Sequence, residues 1–320
     1  MATLQTERVG RVLVVRVDNP PHNFMDRGMV EELDELTRDL ARDRSVGSVV
    51  FTGRPPDLFI THYDVAEILA GVEDVGVTPG PRLAGVLLGV AGGIRRVPGL
   101  RDAVARTPLR GLLELHRIHD VFLRMNRMDK VVIAAINGPA TGGGCELSLA
   151  CDLRYMADKP RIRIGLPEMT MGFNPGAGGT QRLSRVLGPG PALEAMLEGR
   201  TFTPAEAAAA GIVHRVVPPD ELESEAMATA ERLARRSPGS VRALKAAVYE
   251  GSSRRLGRGL AEERRRFMSV GGTEPARRAM TAFVAEVERR DGSPWADPEG
   301  LEPWQRGEVE DMGAPPPDRT

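Results

Sequence analysis

Ile136-Asn137-Gly138-Pro139-Ala140-Thr141-Gly142-Gly143-Gly144-Cys145-Glu146-Leu147 carries the end of a strand, a glycine run and the start of a helix. The run before it, Val131 to Ile136, is apolar throughout, as expected of a strand buried on both faces. A strand that passes through three glycines into a helix exposes backbone N–H groups at a helix N-terminus. Those donors, together with the positive end of the helix dipole, suit an anion or a developing oxyanion. Glu146 falls in the first turn of that helix. The dipole favours a carboxylate there if it only caps, and the same place serves one that acts as a base.

Further along come Gly165-Leu166-Pro167-Glu168 and Pro175-Gly176-Ala177-Gly178-Gly179-Thr180-Gln181-Arg182-Leu183. Glu168 follows a proline on the next connection, so it can face the same cavity as Glu146. Two carboxyl groups near one oxyanion site can add or remove water across an activated double bond. On the residues alone, other readings stay open. A tight turn or a phosphate loop accounts for Gly142 to Gly144, and a solvated surface group for either glutamate. A dinucleotide site is disfavoured, because the G-x-G-x-x-G fingerprint is absent. Gly176 to Gly179 lacks the Gly-Lys-Ser/Thr of a P-loop.

Around this segment, Val12 to Val17 and Gly47 to Thr52 read as strands. Asp26 caps a helix whose Met29, Val30, Leu33, Leu36 and Leu40 fall on one face. Leu153 to Met156 and Ile162 to Ile164 read as short strands, and Gln181 to Leu187 as a helix. Thr203-Pro204-Ala205-Glu206 is a capping box with proline at the first helical position, ended by Gly211. Strands alternating with helical material indicate α/β architecture. From Asp220 the pattern is helical, over Glu221 to Arg236, Ser240 to Tyr249, Gly259 to Phe267 and Pro275 to Arg290. Beyond Asp291 the chain is rich in proline, glycine and acid, with Trp295 and Trp304, and a loose or partner-docked tail is expected.

The 320 residues, 41% hydrophobic and 27% charged, suffice for one large core or one core plus an appended helical part. A formal net charge of -1 argues against a nucleic-acid partner. The two cysteines, Cys145 and Cys151, lie in an apolar run and read as reduced core thiols of a cytosolic protein. No nearby histidines complete a tetrahedral metal set. Met1 to Gly10 lacks a hydrophobic signal core. Leu83 to Ile94 falls short of the roughly 20 apolar residues a membrane-spanning helix needs. The expected location is the cytoplasm, with no membrane partner.

The run Lys130 to Gly138, with Gly144-Cys145-Glu146-Leu147 and Cys151-Asp152, closely resembles the signature of the crotonase (enoyl-CoA hydratase/isomerase) family. Leu166-Pro167-Glu168 and Pro175 to Leu183 resemble the blocks that follow it. Asn19-Pro20-Pro21-His22-Asn23 is similar to the family's first active-site loop, and Ala207 to Val217 to its "AGLV" turn. The resemblance covers roughly residues 8 to 66 and 128 to 285. It implies a ββα spiral core over 1–210, a helical oligomerisation region over 211–290, and a homotrimer or homohexamer; the tail over 291–320 is read from composition alone. It also implies an acyl-CoA thioester as substrate, with coenzyme A arriving as part of it and no prosthetic group.

By the same resemblance, Glu146 and Glu168 act on water and on the α-carbon, and hydration is favoured because both are present. Gly143 supplies one oxyanion N–H. Phe59-Ile60-Thr61-His62-Tyr63-Asp64-Val65 matches the block that supplies the other, at Tyr63. His22, Asn23, His62, Asp64, Gly142, Pro167 and Gly176 map to substrate-contacting positions. Isomerisation, decarboxylation or a carrier-protein thioester reaction is the alternative, and a non-catalytic acyl-CoA binder is a third. The chain departs from the pattern in four places. His62 replaces a glycine, which strains the loop if its φ is positive. About twice the usual length separates Asp64 from Lys130, and the extra segment near 71–108 falls where the acyl-pocket wall is built. Two extra residues fall near Lys159 to Arg163. Ala285-Glu286-Val287 replaces a basic block that helps hold CoA phosphates, leaving Arg289, Arg290 or Lys245 as substitutes.

Overall fold

β1 (Leu4–Val9) and β2 (Val12–Val17) pair antiparallel, with Gly10 turning the hairpin at φ 58°. α1 (Arg27–Arg42) begins where the Asp26 carboxylate accepts from the Met29 N–H, and buries Met29, Val30, Leu33 and Leu40 on one face. It returns the chain to β3 (Ser48–Gly53), which lies parallel to β2. These coordinates form a computed structural model describing residues 3–75, 78–94, 97, 99, 104, 107, 110–236, 238–246, 248–249, 257–258, 268, 272–305 and 309.

Among the described residues, α2 (Val65–Val75), α3 (Pro81–Ile94) and α4 (Arg110–Arg127) follow β3. They lead into β4 (Val131–Ile136), parallel to β3. Next come β5 (Ala140–Thr141), α5 (Gly143–Ala150) and β6 (Leu153–Ala157), the last parallel to β4. β7 (Ile164–Gly165), a 3-10 turn at Glu168–Met171, α6 (Gly179–Leu187), α7 (Pro189–Leu197) and β8 (Thr201–Phe202) come after it. α8 (Pro204–Ala209) and β9 (Arg215–Val217) complete the strand-bearing part. The larger sheet runs β1-β2-β3-β4-β6-β9, and a small second sheet runs β5-β7-β8. The α/β expectation holds, and the capping box at Thr203 is formed in full.

α9 (Leu222–Ala234), α10 (Pro238–Ala246), α11 (Glu274–Arg290) and α12 (Pro298–Gln305) make the C-terminal part helical. The expected helix at Gly259 to Phe267 lies outside the described residues. Position 210 marks no break in packing, because Leu222, Ala226 and Ala230 of α9 join the same core as the sheet. A second core joins Val65 of α2, Met171, Phe173, Met280 and Phe283 of α11, Trp295, Leu301 and Trp304. Residues 291–305 are therefore not a loose tail: both tryptophans are buried against the chain's own helices. Burying two indoles removes enough apolar surface from water to fix a segment whose composition alone suggests disorder.

Candidate active site

The glycine run is shaped by one close approach. A Cβ on Gly144 would stand 1.8 Å from the Ile60 carbonyl oxygen, and one on Gly143 3.2 Å from the Tyr63 amide nitrogen. Gly142 caps α5 at φ 50° and ψ -121°, a conformation that suits glycine. The 59–65 loop is pinned against it from both sides. Thr141 donates to the Thr61 carbonyl through its amide at 2.8 Å and its hydroxyl at 2.7 Å. On the other side the Met25 N–H donates to His62 O and the Asp64 N–H to Met25 O, each at 2.7 Å. These bonds leave the Tyr63 N–H with no backbone acceptor among the described residues. Gly143, as first residue of its helix, has no intrahelical acceptor for its own N–H. Tyr63 and Gly143 line one cavity together with Glu146 and Glu168.

Glu146 is buried, and one carboxylate oxygen accepts from the Ala177 and Gly179 amides, both at 2.8 Å. Burial raises its pKa, while those two amides and the Arg182 guanidinium pull the other way. The 176–179 loop is itself anchored. His119 donates from Nε2 to Gly176 O at 2.8 Å, and Arg182 reaches Asn126 Oδ1 at 3.1 Å. Glu168 opens the 3-10 turn, 5% exposed, with Oε1 3.4 Å from the point a Cβ on Gly142 would occupy. Two buried carboxyl groups and two backbone donors on one cavity are the parts that proton transfer to and from an enolate requires.

Gly142, His62 and Gly176 also line this cavity. Other expected contacts have different work. Asn23, at φ 52°, donates to Val17 O and Phe59 O and accepts from the Asn19 N–H, so its side chain is consumed in latching the first loop to the second. His22 stands 3.9 Å from Asp291, Asp64 caps α2 through the Ala66 N–H at 2.8 Å, and Pro167 precedes the turn that carries Glu168; none of the three lines the cavity. Lys245 is buried and bonded to Met125 O, Lys130 O and Asp152, which removes it from any role with phosphate. Arg289 pairs with Glu286, and Arg290 with Asp297 at 2.8 Å.

His62 does not strain its loop, because its φ is not positive. It is 1% exposed, stacked on Phe24 at 4.3 Å and edge-on to Phe283 and Trp295. Burial holds its pKa at about 4, so the ring is neutral at neutral pH. Nδ1 donates to Tyr63 O and Nε2 accepts from the Ser293 hydroxyl, each at 2.7 Å. This bond ties the oxyanion loop to the C-terminal segment. Because the folded pKa lies below the unfolded value of 6.5, the unfolded chain takes the proton first as pH falls. Stability from this residue is intact above pH 6.5 and drains away toward pH 4, by about 2 kcal/mol at about pH 5. Urea unfolding of the wild type and His62→Asn at both pH values checks this: the acid loss should be smaller by that amount in the variant.

Sequence reasoning missed several residues of the cavity lining. Arg27, Glu67 and Glu114 are among them, with Gly71, Val72 and Pro79 from the start of the extra segment, and Trp295 from the tail. A signal existed for α4, whose Leu112, Leu115, Ile118, Phe122 and Met125 recur at helical spacing.

Residues 114–297 match the protein family described as Enoyl-CoA hydratase/isomerase. "Probable enoyl-CoA hydratase" of Rhizobium meliloti is 34% identical over 285 residues, covering 89% of this chain and 95% of its own. Short-chain-enoyl-CoA hydratase of Clostridium acetobutylicum is 30% identical over 279 residues, covering 87% and 93%. Among solved structures, enoyl-CoA hydratase from Bacillus anthracis superposes with a TM-score of 0.62 at 27% identity, covering 91% of this chain and 97% of its own. The glycine-gated helix start, the paired glutamates and likeness along nearly the whole length of these relatives agree, and the chain belongs to the enoyl-CoA hydratase/isomerase family.

Proposed function

We propose that the protein adds water to a 2-enoyl-CoA thioester, or removes it from the 3-hydroxyacyl product. The observation that carries this reading is the single cavity shared by Glu146, Glu168 and the amides of Tyr63 and Gly143. The thioester oxygen lies between the two N–H groups, which stabilise the negative charge that develops there as an enolate. Glu146 takes a proton from water while the hydroxyl oxygen bonds to the β-carbon and the carbon–carbon π pair moves toward the thioester. Glu168 delivers a proton to the α-carbon as the enolate collapses. Both protons and the oxygen of one water are thus accounted for once the two acids re-equilibrate. Activation comes from the amides and the thioester, and coenzyme A enters and leaves with the acyl group. The family likeness supports a homotrimer or homohexamer, which light scattering would measure directly; the reduced core cysteines and the polar N-terminus support a cytoplasmic location.

Loss of enone absorbance tests the reading. Crotonyl-CoA and longer 2-enoyl-CoAs should each show it on addition of enzyme. A double-bond shift without water uptake would assign isomerisation instead, and in that case Glu146→Gln should retain turnover while Glu168→Gln does not.

A further inference from the structure

The cavity is not uniformly apolar. Val30, Ile68, Leu115 and Ile118 line it, but so do Arg27, Glu67 and Glu114. The Tyr63 phenol, on the residue whose amide faces the thioester, donates to Glu67 at 3.3 Å. Glu67 also accepts from the Arg27 amide at 2.9 Å. Glu114 is held by Arg117 Nη1 at 2.9 Å, and Arg117 is shared with Glu31 at 2.7 Å. Arg27 Nε is buried and has no hydrogen-bond partner among the described residues. A plain alkyl chain packed here would leave the Arg27 Nε–H buried with no acceptor and the carboxylates against hydrocarbon.

We propose that this cavity selects acyl groups carrying a hydroxyl along the chain, bound between the Glu67–Glu114 wall and Arg27. This rests on the thioester reading above and names its substrate class. The chemistry that fits is a group that both donates and accepts. A hydroxyl gives its proton to a carboxylate and takes one from the Arg27 Nε–H. A carboxylate would only accept: Arg27 and Arg110, the latter paired with Asp74, could receive it, but the Glu67 and Glu114 oxygens would face it with no donor. An ammonium would only donate, and would leave Arg27 opposed. Burial raises the Glu67 pKa and lifts that of Glu114 to about 7, so Glu114 is part-protonated at neutral pH and both side chains still offer acceptor oxygens.

The test is equilibrium binding, which needs no turnover. Saturated acyl-CoAs of increasing length, each ending in methyl, hydroxyl, ammonium or carboxylate, are titrated calorimetrically into the full-length protein. At one chain length the hydroxyl form should bind about tenfold or more tighter than the methyl form and tighter than both charged forms. Glu114→Leu should bring the hydroxyl-to-methyl ratio toward one. Methyl, ammonium or carboxylate binding tightest at every length overturns the proposal, as does an unchanged ratio in Glu114→Leu. The wild-type series decides the matter alone should that variant not fold. A separate enone assay with the matching 2-enoyl-CoAs reports on hydration, so selective binding without water addition would sink the hydratase reading and leave the pocket assignment standing.

Discussion

Glu168→Gln is expected to lower kcat for hydration by about 10²- to 10⁴-fold, with acyl-CoA binding held within a few fold. The substitution keeps the shape of a side chain that is 5% exposed, so the cavity should survive it. What it removes is the only proton donor proposed for the α-carbon. Binding of a saturated acyl-CoA, followed by calorimetry, separates lost chemistry from lost fold. Glu146→Gln should fall by a similar factor for a different reason. The amide oxygen can still accept from Ala177 and Gly179, so the loop stays anchored, but it cannot take a proton from water. A variant of either glutamate with near wild-type kcat would remove that residue from the mechanism. Because the pair serve one reaction, the double variant should be little worse than the worse single one.

Gly144→Ala should damage both fold and activity. Its Cβ would stand 1.8 Å from Ile60 O and 3.4 Å from the Ile60 Cβ, and the nearest obstacle is backbone that cannot swing aside. Either α5 or the 59–65 loop must move, and each carries one of the two proposed oxyanion donors. Overpacking of this kind destabilises by about 1–3 kcal/mol, and a shift near 1 Å in the reacting geometry can lower turnover by about 100-fold. Thermal unfolding and kcat should both fall. Gly190→Ala is a control, since a Cβ there meets nothing within 4 Å. Its unfolding midpoint and rate should stay close to wild type.

The middle of the chain was legible because its constraints are local. A strand buried on both faces reads as an unbroken apolar run, and Val131–Ile136 is that strand to the residue. The Thr203 capping box and the Asp26 cap are set by side chains three residues from their partners, so they too could be read from sequence. β1 was missed because an edge strand exposed along most of its length has no core-facing alternation to detect. The tail was misread for the opposite reason. Its composition is that of a solvated segment, and only the fold brings Trp295 against His62 and Phe283, more than 200 and about a dozen residues away in sequence. Asn23 stands in a loop that resembles the family's active-site loop, yet every hydrogen bond its side chain makes goes to the backbone. The polar wall of Arg27, Glu67 and Glu114 was invisible for the same reason as the tail: its members come from three helices that only tertiary packing joins.

Water addition across an activated double bond is the reaction proposed for this cavity. Mass spectrometry of the product formed from a 2-enoyl-CoA in heavy-oxygen water tests it most directly. A 3-hydroxyacyl-CoA that carries the label is expected with wild-type enzyme, and almost none when Glu146 and Glu168 are both glutamine. Wild-type product formed without label, or labelling that survives in the double variant, would contradict it.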